Sequence, residues 1–65
     1  MYEKYIYLTM EIIKSNSKLI VVWDGNNYFV AWANSGIKLE KCPLYEVRDL
    51  AIGQYITISR RMGII

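Results

Sequence analysis

A chain of 65 residues makes one small domain, residues 1–65, and at this size only about 60% of the unfolded surface is buried on folding. One cysteine, Cys42, and no histidine leave no intrachain disulfide and argue against a structural zinc site, so no metal or cofactor is expected. The formal charge is +2, from eight basic and six acidic residues interleaved along the chain, which falls short of a nucleic-acid signature by itself.

From the N-terminus, YEKYIYLTMEIIK alternates. Ile6, Leu8, Met10 and Ile12 fall on one side, and Tyr5, Tyr7, Thr9 and Glu11 on the other. That period of two predicts a first strand. A helix, which would be apolar all round, is the alternative. SNSK (15–18) reads as a turn. Leu19–Trp23 and Tyr28–Ala33 read as the second and third strands, with DGNN between them as turn. A turn centred on Gly25-Asn26 pairs Trp23 with Tyr28, and one centred on Asn26-Asn27 pairs Trp23 with Val30. Either keeps Leu19, Val21 and Trp23 on one face with Tyr28, Val30 and Trp32.

NSG (34–36) is a further turn signal. IKLEK (37–41) predicts a fourth strand, with Ile37 and Leu39 inward and Lys38 and Glu40 outward, stopped by Pro43. Leu44, Val47 and Leu50 recur every three residues, which predicts a short helical or 3₁₀ turn ended by Gly53. QYITISRR predicts a last strand, with Ile56 and Ile58 on one face and Tyr55, Thr57 and Ser59 on the other. MGII is an apolar tail.

Four strands, one helical turn and a last strand resemble the small SH3-like barrel family in architecture. An OB-fold would more usually place its helix between the third and fourth strands. The resemblance implies an all-β fold, a small five-stranded SH3-like barrel with one short helical turn before the last strand. It covers most of the chain as a pattern of elements, and it carries over no functional residue.

The hydrophobic share is 54%, more than one small core is expected to hold, so a partner-binding face or an oligomer is expected. The central hairpin carries two apolar sets. Ile20, Val22, Phe29, Ala31 and Ala33 would pack tightly inside a barrel. Leu19, Val21, Trp23, Tyr28, Val30 and Trp32 include the residue types favoured at binding hot spots. Trp23, Tyr28, Val30 and Trp32 are therefore the candidate partner-binding residues, the partner being another protein or a copy of this chain. The opposite packing, with the aromatic set as core, leaves the aliphatic set to be covered. A second candidate surface is for nucleic acid, with Tyr5, Tyr7 and Tyr55 for base stacking and Arg60 and Arg61 for phosphates.

Catalysis is not expected. Glu46 and Asp49 read as solvated surface, Cys42 has no histidine to pair with, and the four glycines are isolated. The longest apolar run, Tyr28 to Ala33, is far short of the roughly 18 residues of a membrane span. A lone cysteine fits a reducing interior, so the cytoplasm is the expected location. The richness in Lys, Ile, Asn and Tyr is what AT-rich codons encode. It would suit a virus or mobile element, and hence a small regulator or inhibitor of a host protein.

Overall fold

The computed structural model describes residues 10–64. Strands β1 (Glu11–Ser15), β2 (Leu19–Trp23) and β3 (Tyr28–Trp32) form an antiparallel sheet in the order β1-β2-β3, and helix α1 (Arg48–Arg61) follows. This α+β arrangement replaces the expected five-stranded SH3-like barrel. The sheet is open, and the residues predicted as its closing strand are helical. The predicted fourth strand shrinks to one bridge, Ala31 with Lys38, and a second bridge joins Tyr28 to Tyr45. The segment between β3 and α1 thus runs beside β3 without becoming a regular strand. Ile6 and Leu8 of the predicted first strand lie outside the described residues.

The hairpin register is the first of the two predicted. Trp23 pairs with Tyr28, Val21 with Val30 and Leu19 with Trp32. Asp24 closes the loop. Its Oδ1 accepts the N–H groups of Asn26 at 2.9 Å and Asn27 at 2.7 Å, while Gly25 supplies a left-handed φ of 95°. These two hydrogen bonds hold the Asp24 carboxyl below the ordinary aspartate range. A lowered folded-state pKa adds stability that is complete above the unfolded value and is lost as pH falls through the folded one. Asp24→Asn keeps an acceptor oxygen but does not titrate. Thermal melts of the two proteins should therefore stay separated, wild type higher, above about pH 4 and converge as pH falls below it.

In β1, Ile12 pairs with Val22 but Lys14 pairs with Val21, so Ile13 is the extra residue of a bulge. The bulge breaks the alternation read from the sequence. Ile13 packs against the core, while Ile12 stays 60% exposed.

Helix α1 packs on β2 and β3. Leu19, Val21 and Val30 from the sheet meet Ala51 and Tyr55 from the helix, with Leu39 and Cys42 filling the end of this core. The other face of the hairpin holds a second buried cluster of Ile20, Val22, Phe29 and Ala31. Both faces are withdrawn from water, which is why LIVVW and YFVAW are apolar throughout instead of alternating.

The helix was hidden by its own composition. Tyr, Ile and Thr favour strands, and Ile56 and Ile58 alternate with polar neighbours. The row that faces the sheet is Ala51, Tyr55 and Ser59, at helical spacing but weakly apolar. Asn16 reaches that row: its Nδ2 donates to the buried Ser59 Oγ at 2.9 Å, while its Oδ1 accepts the Lys18 and Leu19 N–H groups. The helix runs on to Arg61 and is capped by Gly63 just beyond it, not ended by Gly53. Gly63 has φ 75°, its N–H donates to the Arg60 carbonyl and the Ile64 N–H to the Ser59 carbonyl, a Schellman ending. Gly53 sits mid-helix with open space where a Cβ would lie. Gly53→Ala should stabilise the fold by about 0.5–1 kcal/mol, read as a raised urea midpoint with an unchanged slope.

Candidate partner-binding cleft

The cleft begins with Trp32, the last residue of β3. Its backbone is held on both sides: the Trp32 N–H donates to the Ile37 carbonyl at 3.0 Å, and the Gly36 N–H donates to the Trp32 carbonyl at 2.7 Å. Gly36, at φ 74°, makes the tight return possible. The side chain remains 38% exposed at the sheet end.

Opposite it stands the turn Leu39–Cys42, closed by the Cys42 N–H donating to the Leu39 carbonyl at 3.1 Å. Lys38 clamps this turn. Its Nζ donates to the Leu39 carbonyl at 2.9 Å and also to the Cys42 carbonyl. Helix α1 supplies the third wall through Gln54, Ile58 and Arg61, one face of the helix at spacings of four and three. Together these elements enclose a cleft of about 410 Å³. Leu39, Cys42, Ile58 and Trp32 make its apolar lining, and Glu40, Lys41, Gln54 and Arg61 its polar part. A smaller hollow of about 260 Å³, lined by Ser17, Lys18 and Asn34, shares Trp32 with it.

The Cys42 thiol is buried in the core cluster. Burial pushes the nearby Tyr45 phenol above the ordinary tyrosine range, and the charge Cys42 would carry as a thiolate pushes the same way. Among the described residues no group of His, Cys, Asp and Glu could hold a metal ion, and no helix is long and apolar enough to cross a membrane.

The candidate residues from sequence are dispersed by the fold. Of the partner-binding set, Val30 lies under the helix with 0% exposure. Trp23 and Tyr28 are half-buried, their rings 6.3 Å apart and tilted by 36°. Trp32 alone of the four reaches the cleft. Of the nucleic-acid set, Tyr5 and Tyr7 lie outside the described residues. Tyr55, expected on the outward face of a strand, instead points from the helix into the core at 8% exposure. Arg60 and Arg61 are exposed in the last helical turn, and Arg61 lines the cleft.

Sequence reasoning missed Gln54 and Ile58, because it assigned their segment to a strand, and Lys38, because it placed that side chain outward. The basic doublet Arg60-Arg61 followed by Gly63 was the available signal, since cations in the last turn and a glycine just beyond it mark a helix end. No family model, curated protein or solved structure matches this chain significantly.

Proposed function

We propose that this chain is a non-enzymatic protein-binding domain of the cytoplasm that holds a segment of its partner in the Trp32 cleft. The observation that carries the reading is a part-exposed tryptophan at the mouth of a concave, mainly apolar site. Tryptophan in such a setting is the residue type that most often dominates a protein interface. The small size and composition fit a regulator or inhibitor of a host protein, encoded by a virus or mobile element.

The test is a pull-down with tagged chain, with and without nuclease, beside Trp32→Ala. Trp32 is at the sheet end, so the variant should keep its fold by circular dichroism and lose more than about tenfold in affinity for the captured partner. Capture that survives Trp32→Ala would refute the role of the cleft. Capture that depends on nucleic acid would refute the protein-binding reading itself.

A further inference from the structure

We infer that the Trp32 cleft takes a large apolar side chain from a partner segment whose flanking residues are aspartate or glutamate. This rests on the protein-binding reading and adds the chemistry of the partner. Three cations from separate parts of the chain gather around Trp32. Lys41 comes from the turn after β3, Arg61 from the end of α1, and Lys18, in the neighbouring hollow, from the β1–β2 turn. Glu40 is the one carboxylate among the residues lining either hollow. The cleft itself carries two cations to one carboxylate, and the adjoining hollow adds a third cation with no carboxylate, so the surroundings of Trp32 are net positive.

The two features have different roles. The Leu39, Cys42 and Ile58 lining rewards burial of an aliphatic or aromatic side chain. Exposed rim cations add orientation and encounter rate, and reject a segment with basic flanks. Single-stranded nucleic acid fits less well. It is gripped by successive aromatic platforms along a basic groove. Here one aromatic lines the cleft, the remaining walls are aliphatic or polar, and Glu40 would face a phosphate.

A random short-peptide library displayed on phage, selected on the intact chain and counter-selected on Trp32→Ala, tests this. The expected consensus is one large apolar residue with Asp or Glu on both sides. Synthetic peptides of that sequence should bind at least about tenfold more tightly than versions with Lys flanks, and the preference should shrink as salt rises. Lys41→Glu with Arg61→Glu should reverse the preference in a chain that stays folded by its NMR spectrum. Peptides that require Trp32 but show no acidic flanks, or an unchanged preference in the double variant, would overturn the charge inference and leave the protein-binding reading standing. No Trp32-dependent peptide at all, with oligothymidylate shifting the cleft resonances instead, would overturn both.

Discussion

Leu19→Ala is expected to lower the unfolding free energy by about 2–5 kcal/mol, measured by urea denaturation. Leu19 has no exposed surface and sits in β2 directly beneath the helix, so the lost methyls leave a cavity bounded by two elements that cannot both close on it. A domain of this length has only about 3–10 kcal/mol in total, so the loss is a large share of it and should show as a clearly lowered urea midpoint. Ile12→Ala is the control. Ile12→Ala removes the same amount of hydrocarbon, but Ile12 stands on the exposed side of the bulge, and the loss should stay within about 0.5 kcal/mol. Equal losses at the two positions would contradict the packing described.

Lys38→Met should cost about 1.5–3 kcal/mol and weaken the cleft at the same time. The ammonium is the donor to two carbonyls of the Leu39–Cys42 turn, and bonds from a charged donor are among the stronger ones. Methionine keeps most of the aliphatic stem and removes the donor. Chemical denaturation gives the first effect. The second appears as faster amide exchange confined to residues 38–42, together with lower affinity for any ligand that Trp32→Ala also loses. Unchanged exchange in that segment would show that the turn holds its shape without the clamp.

The hairpin was legible because its signals are local. DGNN names its own turn, the side-chain oxygen of Asp24 completes it, and the register follows once the loop holds four residues. The faces were harder. A continuous apolar run reports burial on both sides but not which side receives the helix. The last third of the chain was misread for a physical reason. Its β-branched and aromatic residues favour a strand by propensity, and the helix draws its stability from seating Ala51, Tyr55 and Ser59 on the sheet, a row whose meaning depends on Leu19, Val30 and Asn16 far away in sequence. The cleft inherits that difficulty. Trp32 was picked out by residue type, but its companions Ile58 and Arg61 come into place only when that segment is helical.

Because the Lys41 turn, the Trp32 strand end and the Arg61 helix end converge only in the folded chain, the unfolded chain has no cleft to offer. Any occupant is then a folding ligand. At a hundredfold excess over its dissociation constant it would add about 2.7 kcal/mol, which for a domain of this size is a rise of roughly 10–20 °C in Tm. A chain with so little stability of its own would survive longest where its target is abundant and be cleared by proteolysis where it is not, so the abundance of the target would set the abundance of its binder.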